Sequence, residues 1–216
     1  MSARVVLATF NAKKLEELRR ILRPALPDVA VVGLADVATY VEPRETEATF
    51  EGNALLKARA AYTATGLVAV ADDSGICVDA LNGMPGVLSA RWSGRDKDDA
   101  ANNSLLLAQM ADVPDERRGA QFRCAAALIA PRASGGTTED VHVGVMPGRL
   151  LREARGQAGF GYDPLFLADG QSHSNAELSP DIKDAISHRG RALRAILPAL
   201  LHALAPTDLY HGPPGP

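Results

Sequence analysis

The sequence predicts an α/β fold built on a mixed β-sheet. Three observations carry that prediction. An all-apolar run at 5–8 stops at a polar loop and passes into an amphipathic stretch, the order of strand, loop and helix start that opens an α/β unit. A second apolar run, 67–71, reads as another strand buried on both faces. Val141, Val143 and Val145 instead alternate with polar or small residues, the period-two pattern of a half-solvated antiparallel strand.

The elements follow in chain order. Residues 13–22 form the first helix, with Leu15, Leu18, Ile21 and Leu22 on one face, and Pro24 stops it. Residues 29–34 read as the second strand. The charged stretch 42–47 is a loop. A helix over 49–64 comes next, with Phe50, Ala54, Leu55, Ala58 and Tyr62 near helical spacing and Gly66 just past its end. The strand 67–71 runs straight into Asp72-Asp73-Ser74-Gly75, a composition that suits a turn. Gly83, Pro85 and Gly86 mark further turns. Residues 99–111 are helical, with Leu105, Leu106 and Met110 apolar. Residues 121–130 and 139–145 pair across a hairpin loop at Ser134-Gly135-Gly136. A glycine-rich segment at 156–164 precedes the last helix, 190–204, in which Pro198 predicts a kink. With no internal repeat and no linker, a single domain over 1–206 is expected, followed by a flexible tail at 207–216.

Composition narrows the function. Of 216 residues, 46% are hydrophobic and 23% charged, which excludes a disordered chain. At roughly 150 residues per domain, one domain is the natural count. Lys and Arg total 23 against 26 Asp and Glu, a net charge of −3, which argues against binding a nucleic acid polymer. Cys77 and Cys124 belong to no CxxC pair, so no zinc or redox motif is written here. The first apolar run is too short for a signal peptide. The longest apolar stretch, 195–205, is too short to span a bilayer, so a cytoplasmic protein without membrane contact is expected.

Five segments carry candidate chemistry. Thr9-Phe10-Asn11-Ala12-Lys13-Lys14 opens the first helix, where backbone N–H groups and the positive end of the helix dipole attract phosphate. Thr9 and Asn11 add side-chain donors there, and Lys14 adds a point charge. Asp72-Asp73 follows a buried strand, and ligands in open α/β sheets sit beyond the carboxyl ends of strands. Two adjacent carboxylates repel unless a cation lies near, and oxygen-only ligands favour Mg2+. Glu45 and Lys57 flank the start of the second helix, and Lys57 can reach back toward a phosphate. In Gly159-Phe160-Gly161-Tyr162-Asp163-Pro164, two aromatics held between glycines can face a purine ring, and Asp163 can accept hydrogen bonds. Lys183 with Ser187-His188-Arg189-Gly190 offers donors to a keto oxygen or a phosphate. Each segment alone also has a plain reading as a cap, a turn, a solvated lysine or a core aromatic.

In this order the segments resemble the inosine/xanthosine triphosphate pyrophosphatase family. The matching stretches are Thr9-x-Asn11-x-x-Lys14, Thr49-Phe50-x-x-Asn53-Ala54-x-x-Lys57-Ala58, Ala71-Asp72-Asp73-Ser74-Gly75, Pro85-Gly86, Ser89-Ala90-Arg91, Gly159-Phe160-Gly161-Tyr162-Asp163-Pro164 and Ser187-His188-Arg189-Gly190. Two positions depart from the family pattern: Glu47 stands where it has glycine, and Gly52 where it often has glutamate. The resemblance implies an elongated mixed sheet flanked by helices, with two lobes around a central cleft, in a homodimer. It also implies Mg2+-dependent cleavage of ITP, dITP or XTP between the α- and β-phosphates, which releases pyrophosphate and cleanses the nucleotide pool.

Residues and resemblance together suggest roles. Mg2+ is expected on Asp73 with Glu45 or Asp72, and Asp73 is the expected base or water-orienting group. Lys14 and Lys57 would neutralise phosphate charge, and Thr9, Phe10, Asn11, Ala12 and Lys13 would hold the phosphate chain. Ser74 would contact phosphate or sugar. Phe160 would stack on the base, with Gly161, Tyr162, Asp163 and Lys183 around it. His188 and Arg189 would donate to a 6-keto oxygen that adenine lacks. Two alternatives are a pyrophosphatase for other modified nucleoside triphosphates and a nucleotide-binding module without turnover.

Overall fold

The computed structural model describes residues 3–37, 41–94, 98–132 and 134–205. Within these, β1 (Arg4–Leu7) leads into α1 (Ala12–Leu22), and β2 (Ala30–Gly33) precedes α2 (Phe50–Thr65). The chain continues through β3 (Val68–Val78), α3 (Asp99–Gln109), β4 (Gly119–Pro131) and β5 (Thr137–Leu150). It closes with β6 (Phe166–Ala168), α4 (Pro180–Ile186) and α5 (His188–Leu204). The strands form one mixed sheet in the order β2-β1-β3-β4-β5-β6. β1 is parallel to β2 and to β3, and every later pairing is antiparallel. The predicted α/β class with a mixed sheet is what the chain adopts.

Caps set the helix ends. Asn11 Oδ1 accepts the Lys14 N–H at 3.2 Å to start α1, and Thr49 Oγ1 accepts the Gly52 N–H at 3.1 Å to start α2. Gly66 ends α2 in the left-handed conformation, as the sequence predicts. Ser187 Oγ accepts the Gly190 N–H at 2.9 Å, so α5 begins at His188, two residues before the expected start. Pro198 lies inside α5, which continues to Leu204.

Side-chain alternation sorts the core onto two faces. Val5, Leu7, Val68, Val70, Cys124, Ala126 and Leu128 pack against α1 and α5 through Leu18, Leu22, Leu193 and Ile196. Their neighbours Val6, Ala69, Ala71, Ala125, Ala127 and Ile129 pack against α2 through Phe50, Ala54, Ala58 and Ala61. A third cluster covers the far halves of β3 and β4, where Ile76, Val78 and Phe122 meet Leu106 and Met110 of α3 and Phe166 of β6.

One expectation is corrected. Asp72-Asp73-Ser74-Gly75 is not a turn after a short strand but the interior of β3, because β4 pairs with β3 at each position from Ala69 to Val78. A continuous antiparallel ladder outweighs local turn composition. Two short elements go unassigned from sequence: β6 adds three residues to the edge of β5, and α4 forms behind Ser179 with Pro180 in its first turn. The expected tail, 207–216, lies outside the described residues. Among the described residues, no helix is long and apolar enough to cross a membrane.

Candidate active site

The site opens where β1 stops. Leu7 is the last residue of β1 and lies opposite Val70, whereas β3 runs on to Val78. Past that point β1 no longer pairs with β3 and the chain turns through Thr9–Asn11 into α1, while further along β3 the Ile76 N–H donates to Ser89 Oγ and the Val78 N–H to the Met84 carbonyl. A cavity of about 1100 Å³ lies here, of a size that takes a nucleotide. Thr9, Phe10, Asn11, Ala12, Lys13, Lys14, Glu45, Lys57, Asp72, Asp73, Ser74, Phe160, Gly161, Tyr162, Asp163, Lys183, His188 and Arg189 all line it.

Because successive strand residues point to opposite faces, Asp72 and Asp73 enter different networks. Asp72 turns toward α1 and α5. Its Oδ2 accepts from Lys14 Nζ at 3.2 Å and from Arg189 Nε at 3.1 Å. Burial opposes its charge, yet Lys14, Arg189 and Lys57 prevail and hold its pKa far below the usual carboxylate range. Arg189 also donates to Glu17 Oε2 at 2.7 Å and to Ser74 Oγ at 2.8 Å, and it is only 1% exposed. Three of its five N–H groups are therefore engaged within the protein.

Asp73 turns toward α2. Lys57, itself 4% exposed, donates to Asp73 Oδ1 at 2.9 Å and to Glu45 Oε1 at 3.0 Å. Asn53 Nδ2 donates to Asp73 Oδ2 at 3.2 Å, and Arg91 donates to Glu45 Oε2 at 3.1 Å. The two carboxylates titrate in opposite directions. Burial, with Glu45 nearby, raises the Asp73 pKa against the pull of Lys57. Burial also works on Glu45, but Lys57 and Arg91 overcome it and hold Glu45 low. Asp73 is thus the carboxylate of the pair with the higher proton affinity.

The carboxylates nominated for a metal divide accordingly. Asp72 is tied into the other network, and no group of three or more His, Cys, Asp or Glu side chains able to hold a metal occurs among the described residues. Glu45 and Asp73 remain as a pair of oxygen donors on one ammonium, with lone pairs beyond those used by Lys57, Asn53 and Arg91. Such a donor set fits Mg2+, which takes one or two carboxylates and completes its shell with water and phosphate oxygens.

The far end of the cavity is aromatic. Lys183 Nζ lies 5.0 Å and the Arg189 guanidinium carbon 5.5 Å from the centre of the Phe160 ring. Asp163 faces inward. Its Oδ2 accepts from Lys183 Nζ at 2.6 Å and from the Phe160 N–H at 2.9 Å, and Asn175 donates to its Oδ1 at 3.3 Å. Glycine is required at 159, where φ is +77° and a Cβ would lie 2.2 Å from Asp163 Oδ2. The Tyr162 hydroxyl donates to the Ser89 carbonyl at 2.8 Å. His188 stacks on Phe122 with ring centres 4.8 Å apart. Burial and the adjacent Arg189 and Lys183 charges push its pKa well down, so it is neutral at physiological pH. Glycine is also needed at 144 on β5, where a Cβ would sit 2.0 Å from the His188 carbonyl and keep the start of α5 off the sheet.

At the α1 end of the cavity, the Asn11 carboxamide oxygen acts as the α1 cap, and Thr9 Oγ1 accepts the Asn11 N–H at 3.1 Å. Lys13 donates to the Gly159 carbonyl at 3.2 Å, which joins the α1 start to the Phe160 loop. Several site residues escape sequence reading. Glu17 lies 172 positions from its partner Arg189 and looks like one more acid on an amphipathic helix. Asn53 and Arg91 stand inside the matching stretches, which was the available signal, but nothing local says that they orient Asp73 and Glu45.

Comparison with known proteins agrees with this fold. The family model described as Ham1 family matches residues 5–199. A Nocardia farcinica protein named dITP/XTP pyrophosphatase is 63% identical over 199 residues, spanning 92% of this chain and 95% of the relative. The crystal structure of a nucleoside-triphosphatase / dITP/XTP pyrophosphatase from Mycobacterium abscessus is similar at 55% identity and a TM-score of 0.70, covering 90% of this chain and 99% of that one. A HAM1 protein structure from Coxiella burnetii is similar at 38% identity and a TM-score of 0.79, covering 93% of this chain and all of that one, 100%. With the family model matching residues 5–199 and these likenesses extending over nearly its whole length, the chain belongs to the Ham1 family.

Proposed function

We propose that the chain hydrolyses the non-standard purine nucleoside triphosphates dITP, XTP and ITP to the monophosphate and pyrophosphate, in a Mg2+-dependent reaction. The observation that carries this reading is the single cavity shared by the α1 N-terminus with Lys14, the Glu45–Lys57–Asp73 group and the Phe160 loop. The names of the similar proteins support the substrate class. The family resemblance read from the sequence supports a homodimer, and the shortness of the apolar stretches supports a place in the cytoplasm.

The triphosphate lies along the α1 N-terminus, where helix geometry leaves the Ala12 and Lys13 N–H groups without acceptors inside the helix. Lys14 supplies charge there. Glu45 and Asp73 would hold Mg2+, whose chemistry when bound is to offset triphosphate charge and polarise the phosphorus. Asp73 accepts a proton from the attacking water. A water oxygen bonds to the α-phosphorus, the bond from that phosphorus to the α–β bridging oxygen breaks, and pyrophosphate leaves with the electron pair. Lys57 keeps Asp73 in place and balances the charge that passes between the groups. Phe160 stacks on the base. His188, held neutral, keeps a ring N–H donor for the 6-keto oxygen, and Arg189 retains two N–H groups for the same end.

The test is a panel of dITP, ITP, XTP, dGTP and ATP assayed with and without Mg2+, with pyrophosphate and orthophosphate detected separately. Pyrophosphate release from dITP, ITP and XTP with Mg2+ is expected, with dGTP and ATP slow. Orthophosphate as the product, or equal turnover of ATP and ITP, refutes the reading.

A further inference from the structure

The loop that carries Phe160 is fastened by the first turns of α3. Asp99 Oδ2 accepts the Gly161 N–H at 2.7 Å, and Asn103 Nδ2 donates to the Gly161 carbonyl at 3.0 Å. The two side chains are four apart and so share one helix face. Both backbone groups of a single loop residue are thus held by one helix, across 62 and 58 positions of sequence. The two residues before it are tied as well, Gly159 through its carbonyl to Lys13 and Phe160 through its N–H to Asp163.

Asn103 does not serve its own helix. Asparagine is a weak helix former, and its Oδ1 is buried with no hydrogen-bond partner among the described residues. A buried orphan oxygen is costly, and it persists here on a side chain whose amide hydrogen reaches Gly161. Asp99 also lines the cavity itself.

We infer that Asp99 and Asn103 are positioning residues that fix the height of the Phe160 ring over the bound base, and through it base selection. The inference rests on the reading of the cavity as a purine nucleotide site. Neither side chain takes part in phosphate chemistry. Loosening the clamp therefore weakens base binding and discrimination and leaves the chemical step intact.

The experiment compares wild type, Asn103→Ala, Asp99→Ala and Asp99→Asn by steady-state pyrophosphate release from ITP and ATP, with melting temperatures alongside. Small displacements of a binding group cost up to ~100-fold, so the two alanine variants should raise KM for ITP by about tenfold, hold kcat within about twofold and lower the ITP-to-ATP ratio of kcat/KM by about tenfold. Asp99→Asn keeps an acceptor for the Gly161 N–H and should stay near wild type. Alanine variants that melt lower but keep the wild-type ITP-to-ATP ratio would show a merely structural clamp and overturn the inference. An inactive wild type would refute the proposed function alone. The same four proteins would then be compared by calorimetric Kd for ITP and ATP, where an unchanged ratio overturns the clamp and a reduced ratio supports it.

Discussion

Lys57 and Asp73 show how much of this site depends on single side chains. Each is buried, and each satisfies the other: the ammonium would be an unpaired charge without its two carboxylates, and Asp73 would be one without the ammonium. Removing one member of such a pair typically destabilises by about 3–5 kcal/mol, because the remaining charge stays buried. Lys57→Met should therefore lower stability by that order in urea denaturation, as well as abolish turnover. A loss below about 1 kcal/mol would mean that Asp73 finds water or protonates freely instead. Asp73→Asn keeps the shape and the hydrogen bond to Lys57 but removes the proton acceptor. Its kcat with ITP and Mg2+ should fall by ~10²–10⁴-fold while the fold is kept. Turnover within a few-fold of wild type would take Asp73 out of its role. The neighbouring Asp72 stays ionised under the pull of Lys14 and Arg189, so it holds those cations in place rather than exchanging protons.

At the scale of elements, the two departures from the family pattern turn out to touch. A Cβ built on Gly52, in the first turn of α2, would lie 2.7 Å from the Glu47 Cβ and 3.0 Å from its Cγ. Glu47 therefore occupies the space that a side chain at 52 needs, and the loop before α2 keeps its course because residue 52 has none. That loop matters to the site, since the Glu47 N–H donates to Asn53 Oδ1 at 3.0 Å while Asn53 donates to Asp73. A double-mutant cycle tests the coupling. Gly52→Ala should fail to deliver the ~1 kcal/mol that the change is worth in a helix, because Glu47 has to move. In a Glu47→Gly background the same substitution should gain it, and additive effects would refute the contact. Sequence shows both departures but not their proximity. The same limit explains the other misreadings. Hydrophobic period located α1, α2 and α5 to within two residues. Asp72-Asp73-Ser74-Gly75 reads as a turn because its strand character comes only from pairing with Ala126, Ala125, Cys124 and Arg123 across the sheet. β6 and α4 are too short to show a period. Lysines and aspartates of the site stood out through motif spacing, whereas Glu17, Asp99 and Asn103 gain their roles from contacts between distant segments.

Across the whole molecule, a net charge of −3 says little about how stability depends on pH, because the groups that matter are buried and individually perturbed. His188 is the informative one near neutrality. It sits at the N-terminal end of α5, where the helix dipole opposes a positive charge, and burial with Arg189 and Lys183 lowers its pKa well below 6.5. Below pH 6.5 the unfolded chain binds a proton at His188 that the folded chain refuses, so folding stability falls as pH falls. The slope from this one group approaches about 1.4 kcal/mol per pH unit until its folded pKa is reached. Asp73 acts in the opposite sense: its folded pKa is raised, so its contribution declines as pH rises from the ordinary aspartate value of 3.8 through the folded value. Asp72, with its pKa lowered, adds stability above 3.8 that is lost only as pH falls toward its folded value. The carboxylates and the remaining histidines are common to wild type and His188→Asn, so the difference between the two proteins isolates residue 188. Losing the stack on Phe122 shifts that difference by a constant, and a constant has no slope. Urea midpoints measured from pH 7.5 to 5 should therefore show wild type losing stability relative to His188→Asn as the pH drops below 6.5. Parallel curves for the two proteins over that range would mean that His188 takes up its proton in the folded state, and the neutral donor proposed for the base would go with it.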